Sequence, residues 1–410
     1  MSEKIIVGLD VGTDNTRVVV AQKDKKSGKV FIIGFGSAKT QGMRRGVVID
    51  LEAVAKSVIT AVEQAERTSG IPIEKAYVSI KGDHIVAEKS KAVVAVSRAD
   101  EEISEEDVDR VLSSAEALSL PQNKEILHVI PCWFKVDNQD QIKDPVGMTG
   151  VRLEANVIVL EASVPYVKNL AKAISQAEII SKGLVFAPLA AANAVLDNRQ
   201  KELGVAVVDI GAGATGISIF EEGSLIHSAV IPVGAAHVTN DIAIGLRISI
   251  DTAEQVKKDF GTARSINVNK KEKISIGGKP ESVENFTVSR HYLAEIMEAR
   301  LEEIFSLVNK ELGKVGRKHL LPAGIVLVGG GAKTPEIIDL AKSVLGLPVD
   351  VGLPRQYSGI VDKIDDPSFA TALGLINWAA DKDENNGKNG AFIDSDMLKP
   401  LKKILKIFTP

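Results

Sequence analysis

The feature that most constrains this chain is a turn that occurs twice. Near the start, Ile5, Ile6 and Val7 lead into Gly8, Leu9, Asp10, Val11, Gly12, Thr13, Asp14, Asn15, Thr16 and Arg17, and Val18, Val19 and Val20 follow. About two hundred residues on, Val207 and Val208 lead into Asp209, Ile210, Gly211, Ala212, Gly213, Ala214, Thr215 and Gly216, and Ile217 and Ile219 follow. Short apolar runs bounded by such turns read as buried strands. A turn of Gly, Thr and Asn between them can aim several backbone N–H groups at a phosphate. An Asp at its head can hold a hard cation nearby. A single copy could equally be an ordinary β-turn. Two copies set a domain apart imply two related halves that close on one nucleotide.

A third segment points to the same place. Ile325, Val326, Leu327 and Val328 run into Gly329, Gly330 and Gly331, where backbone without side chains can lie flat against a purine or phosphate. Thr334, Pro335 and Glu336 then open a helix whose N-terminus suits an anion. Asp10 to Asn15 resembles the first phosphate loop of the actin, Hsp70 and sugar kinase superfamily, Asp209 to Thr215 its second, and 325 to 332 its adenosine motif. That resemblance implies an α/β, actin-like two-lobed fold built from duplicated ribonuclease H-like domains.

The chain has 410 residues, room for several domains, and a net charge of −4 that offers no global field to nucleic acid. Its one cysteine, Cys132, cannot form an internal disulfide and reads as a core residue suited to a reducing cytoplasm. The N-terminus lacks the apolar core and cleavage site of a signal peptide. No apolar run approaches the ~20 residues needed to span a bilayer.

In chain order, 5 to 40 reads as a three-strand meander. Asp50 to Thr68 reads as a helix capped by Asp50 and stopped at Gly70. Between about 85 and 163 the pattern changes to strands around one helix, opened by Ser104 and Asp107 in a capping box. The acids from Asp100 to Asp109 read there as a helix start and a solvated face, and no phosphate chemistry is visible. Phe186 to Ala194 is a small-residue helix. Gly234 leaves open backbone near the nucleotide edge. Asp251 opens a helix on which Glu254 and Lys257 share a face, either as an exposed ion pair or as contacts to the ligand.

His128 to Pro131, Ile142 to Ala155 and Arg45 to Asp50 sharpen the resemblance: the chain is similar to the FtsA family, which ties FtsZ filaments to the bacterial membrane during division. Its inserted subdomain is absent from actin, Hsp70 and MreB. The resemblance implies lobe I from 1–84, 164–198 and 356–380, an inserted subdomain from 85–163, a lobe II core from 199–231 and 303–355, and a lobe II subdomain at 232–302. It implies Mg-ATP as ligand, with Asp10 and Asp209 reaching Mg²⁺ through water. Gly12, Thr13, Asp14, Asn15 and Arg17 would meet it from one lobe, and Gly211, Gly213, Thr215, Gly234 and Gly329 to Gly331 from the other. It also implies self-assembly into filaments, other division proteins as partners, and receipt of the FtsZ tail peptide by the lobe bearing 232–302. Hsp70-like relatives carry a Glu where this chain has Ala187. A methyl group cannot orient water, so at most slow ATP hydrolysis is expected.

The tail completes the reading. Residues 381–396 read as a flexible linker. In 397–410, Leu398, Leu401, Ile404, Leu405 and Phe408 fall on one side of a helix, and Lys399, Lys402, Lys403 and Lys406 on the other. That pattern suits lying in an anionic headgroup layer at the inner face of the cell membrane, and each Lys there adds roughly 1 kcal/mol. A helix docked on the body, or a partner peptide, is the alternative. Among whole-chain alternatives, a sugar kinase would need a catalytic base that no motif supplies, and a pilus-assembly relative would lack the lysine-rich tail.

Overall fold

The strands that end one residue past Asp10 and one residue past Asp209 head two sheets with one plan. The computed structural model describes residues 4–24, 28–117, 123–276, 286–354, 357–360 and 364–385. In the first sheet, Lys4–Val11 pairs antiparallel with Asn15–Lys23, which pairs antiparallel with Val30–Lys39. On its other edge Lys4–Val11 pairs parallel with Lys75–Ile80, and that strand with Ile180–Phe186. In the second sheet Val205–Ile210 pairs antiparallel with Thr215–Glu221, which pairs with Ser224–Ile231. On its other edge it pairs parallel with Ile325–Val328, and that with Val349–Val351. Both halves therefore share the order three-two-one-four-five, a hairpin meander continued by parallel strands, and the first adds the short strand Ser358–Gly359 parallel to Val30–Lys39 at its outer edge. Parallel neighbours need helical crossovers; Leu51–Ser69 serves the first sheet and Arg290–Lys314 the second.

The local chemistry explains these elements. Val18, Val19, Val20 and Ala21 are all fully buried, so the strand carries an unbroken apolar run, not an alternating one. The crossover helix begins where Asp50 accepts from the Ala53 N–H at 3.1 Å and ends at Gly70, whose φ of 69° is left-handed. Each sheet has its own core. Ile6, Val19 and Ile32 pack on Leu373 and Ile376 in one; Val208, Ile217 and Leu327 pack on Leu301 and Phe305 in the other. Each fully buried Leu, Ile, Val or Phe contributes roughly 1.5–3 kcal/mol. Two helices pass between the halves, Ala187–Val195 and Ala370–Asn385. They touch at the backbone: a Cβ added to Gly374 would fall 1.7 Å from the Ala190 carbonyl oxygen.

Residues Met1–Asp83 with Tyr166–Asp381 form one compact unit containing both sheets. His84–Pro165 belongs to a second, an antiparallel sheet in the order Ile85–Ala95, Arg152–Ser163, Lys124–Val136, Gln139–Ile142, with helix Glu105–Ala117 on its core. The Ser104–Asp107 box is present, with each backbone N–H meeting the other's side chain. The solvated reading of this acid run fails at Asp107, which is fully buried. It accepts from the N–H and hydroxyl of both Ser97 and Ser104 and pairs with Arg110. Desolvation works to raise its pKa, and these hydrogen bonds overwhelm it, holding the carboxyl far below the usual range. In the same unit, burial pushes the Cys132 thiol up to about 11, so it is an inert core group.

Two further expectations change, and one lies beyond the described residues. The helix Ile250–Phe260 is capped by Ser249, whose hydroxyl accepts from Thr252 N–H, while Asp251 sits in its first turn. The last helix continues to Asn385, into the segment read as linker. The tail from Leu398 to Phe408, with its candidate membrane residues, lies outside the described residues.

Candidate functional site

Each hairpin delivers its acid to the end of a central strand. Asp10 sits opposite Arg17, and Asp209 sits opposite Gly216. Both acids line a single cleft of about 520 Å³ within the larger unit. Gly12, Thr13, Asp14, Asn15 and Arg17 line it from the first hairpin, and Gly211 and Gly213 from the second. Gly329, Gly330 and Gly331 add a third wall, and Glu254 and Lys257 a fourth. The two hairpin turns touch: a Cβ at Gly213 would fall 2.7 Å from Thr13 Oγ1.

The acids are held differently. Ser79, at the end of the parallel neighbour strand, donates to Asp10 Oδ1 at 2.6 Å and accepts from Val11 N–H at 3.2 Å. Loss of bulk water at the floor of the cleft raises the Asp10 pKa; the Ser79 bond and Arg17 oppose this, and the Asp209 charge reinforces it. Arg17 lies over the Phe369 ring, 5.4 Å from its centroid, which fixes the guanidinium beside the cleft. Asp209 is instead paired with Lys81, whose Nζ lies 2.6 Å from Oδ2. Lys81 follows the strand Lys75–Ile80 of the first sheet, so this ion pair joins the two halves.

The turn after Ile325–Val328 has the bare backbone its sequence suggests, with Gly329 at φ 83°. A Cβ there would lie 2.4 Å from Asp209 Oδ1, and one at Gly331 would lie 2.3 Å from Ile210 Cγ2. The glycines therefore serve two ends: they open the wall and let it close against the acid. Asp14 is braced by Lys39 and by the Asn15 amide, which donates at 2.6 Å. Glu254 and Lys257 form a half-buried cluster with Thr239: Lys257 Nζ lies 2.5 Å from Glu254 Oε2, and the Thr239 hydroxyl donates to that oxygen at 2.6 Å. Partial desolvation would raise the Glu254 pKa, but Lys257, Thr239 and Lys258 outweigh it and draw it down to about 2. The ion pair of the first reading is present, half-buried instead of exposed, and both residues also line the cleft.

Two residues expected at the site stand behind its lining. Thr215 is fully buried and donates its hydroxyl to the Val233 carbonyl at 2.7 Å. Gly234 packs its backbone on Gly211 and Ala212, where a Cβ would fall 2.4 Å from the Gly211 oxygen. Conversely, Ser79, Lys81, Lys333 and Ser368 line the cleft without having been singled out. The parallel pairing of Lys75–Ile80 with Lys4–Val11 is the signal for the first two, since it sets the residues after Val78 beside Asp10.

The family model for Cell division protein FtsA matches residues 206–374, and that for the SHS2 domain inserted in FtsA matches 82–160. The Cell division protein FtsA of Pseudomonas aeruginosa is 36% identical over 384 residues, covering 93% of this chain and 90% of that one. That of Bacillus subtilis is 38% identical over 393 residues, covering 95% and 87%. The chain belongs to the FtsA family. Among solved structures, the PilM–PilN type IV pilus biogenesis complex superposes on this FtsA-family chain with TM-score 0.66 at 17% identity, covering 92% of this chain and 98% of that one. MreB5 of Spiroplasma citri bound to ADP gives 0.55 at 15%, covering 94% and 99%. At those identities the likeness speaks for the fold alone, which is the actin-like α/β plan with the FtsA-type insertion.

Proposed function

We propose that this chain binds Mg-ATP in its cleft, assembles head to tail into filaments, and anchors FtsZ filaments to the inner face of the cell membrane at the division septum. The observation that carries the reading is one cleft lined by both hairpin acids, both small-residue turns and the Gly329–Gly331 wall. Backbone N–H groups of Gly12 to Asn15 and of Gly211 to Gly213 would cradle the phosphates from opposite sides. The glycine wall and the Glu254–Lys257–Thr239 cluster would take the nucleoside.

The donor set suits magnesium. Among the described residues, no group of three or more His, Cys, Asp or Glu side chains could hold a metal. Two hard carboxylates facing a phosphate site is the arrangement by which Mg²⁺ is held through its own waters and substrate oxygens. When bound, the cation would neutralise phosphate charge; Asp10 and Asp209 would orient its waters. Ala187 lines the cleft with a methyl group, which can neither orient water nor accept a proton, and this favours slow turnover.

The membrane role rests on the amphipathic, lysine-rich pattern of 397–410. Several tails on one filament would bind far more tightly than one. Partners on this reading are the FtsZ tail peptide at 232–302, other division proteins, further copies of this chain and anionic lipid. Two measurements test it. A fluorescent ATP analogue should bind the full chain and lose at least roughly tenfold in affinity in Asp209→Asn; equal binding overturns the cleft assignment. Vesicles with anionic lipid should pellet the full chain and leave a chain ending at 396 in solution; equal pelleting removes the anchor.

A further inference from the structure

We propose that Lys81 is a phosphate ligand of the cleft, a cation carried by one half and held on the acid of the other, which supplies charge compensation otherwise left to the divalent metal. The inference rests on the nucleotide reading above and adds a residue and a charge balance to it.

The two hairpins are superposable in plan, so their differences are informative. Opposite Asp10 the first hairpin has Arg17, a cation of its own. Opposite Asp209 the second has Gly216, which has no side chain at all. Pro188 packs most closely on that bare backbone, 2.5 Å from where a Cβ at Gly216 would stand, and Lys81 from the other half fills the space beside it: its Cδ lies 3.7 Å from that point, and its Nζ 3.0 Å from where a Cβ at Gly211 would stand. The second acid therefore receives its counter-charge from outside its own sheet.

The ammonium is also placed to do more than pair. It has three donors. Asp209 takes two of them, at Oδ2, 2.6 Å away, and at its carbonyl oxygen, 3.4 Å away. The side chain is only 16% exposed, yet Lys81 lines the cavity together with both turns. The other lysines that line the cleft are held differently: Lys257 and Lys258 are paired with Glu254 on their own helix, and the exposed Lys333 with Asp366. A triphosphate entering between Asp10 and Asp209 meets two like charges at the floor, and a half-buried ammonium there is little screened by salt. A short swing on its flexible four-carbon stem lets Lys81 share its charge between Asp209 and a terminal phosphate.

The test measures binding of a fluorescent ATP analogue to the full chain in excess Mg²⁺ and in EDTA, for wild type, Lys81→Gln and Lys81→Arg. Gln keeps donors for Asp209 and loses the charge. The expected result is that Lys81→Gln binds within a few-fold of wild type in Mg²⁺ but falls a further roughly ten- to hundredfold behind it in EDTA, with Arg restoring most of the loss. If wild type and Lys81→Gln show the same ratio between the two conditions, Lys81 is only a structural partner of Asp209 and the inference is overturned. If none of the three proteins binds under either condition, the nucleotide reading itself fails. An unfolding midpoint without nucleotide checks each variant, and Lys81→Met replaces Lys81→Gln should the latter not fold.

Discussion

The two hairpins share a backbone and divide the chemistry. In each, a threonine in register with the residue after the acid is fully buried and ties the turn to the segment just past the third strand: Thr16 bonds Thr40 Oγ1 at 2.9 Å, and Thr215 bonds the Val233 carbonyl at 2.7 Å. Beyond that common frame they diverge. The strand parallel to the first hairpin ends in side chains, Ser79 and Lys81, that reach Asp10 and Asp209. The strand parallel to the second ends in Gly329, Gly330 and Gly331, which present only backbone. One half supplies groups that manage charge; the other supplies room. A duplicated fold that kept both copies alike would have two charged floors and no flat wall.

The largest expected effect comes from making the halves more alike. Gly329→Ser would set a hydroxyl against the second acid, as Ser79 sets one against the first, though from one residue further along its strand. The new Cβ would meet Asp209 Oδ1 at a left-handed φ, so unfolding should be easier by roughly 3 kcal/mol or more, read by denaturant titration. The reverse change, Ser79→Gly, removes two hydrogen bonds and should cost about 1–2 kcal/mol. Equal losses for the two would mean the asymmetry has no structural basis.

The acids themselves should next differ in sign. Asp209→Asn strips a half-buried lysine of its partner and should destabilise by about 2 kcal/mol at pH 7. Asp10→Asn should raise the thermal midpoint there. The folded pKa of Asp10 lies above its unfolded value, so the unfolded chain ionises first as pH rises past 3.8, and the ionised carboxylate costs stability from there upward. Below pH 3.8 both states are protonated and the advantage of Asp10→Asn should vanish. Destabilisation by both substitutions at pH 7 would show that the floor treats the two acids alike. The smallest effect sharpens the shared frame: Thr16→Val and Thr215→Val should each cost about 1 kcal/mol by chemical denaturation, within a few tenths of one another.

How much of this was legible beforehand follows from what each signal depends on. Helix Leu51–Ser69 was readable to within a residue at its ends, because Asp50 and Gly70 act on backbone groups within the same turn. Asp107 departs from its sequence reading because its surroundings come from Ser97 in the loop after strand Ile85–Ala95 and Arg110 on a helix, which local composition does not report. Thr215 was misplaced for the same reason. Its hydroxyl has two candidate directions in an isolated turn, and only the Val233 carbonyl, just past the neighbouring strand, decides between them.

The sequence alone determined the duplication, the strand–acid–turn–strand units, the glycine wall and the pattern of the tail, since each is carried by residues adjacent along the chain whose periodicity and conformational limits are local. The tertiary structure decided which charges compensate which. That Asp209 answers to Lys81, 128 residues away, while Asp10 keeps Ser79 and Arg17, depends on two sheets meeting across a cleft, and a through-space interaction of a few ångströms leaves no trace in sequence spacing.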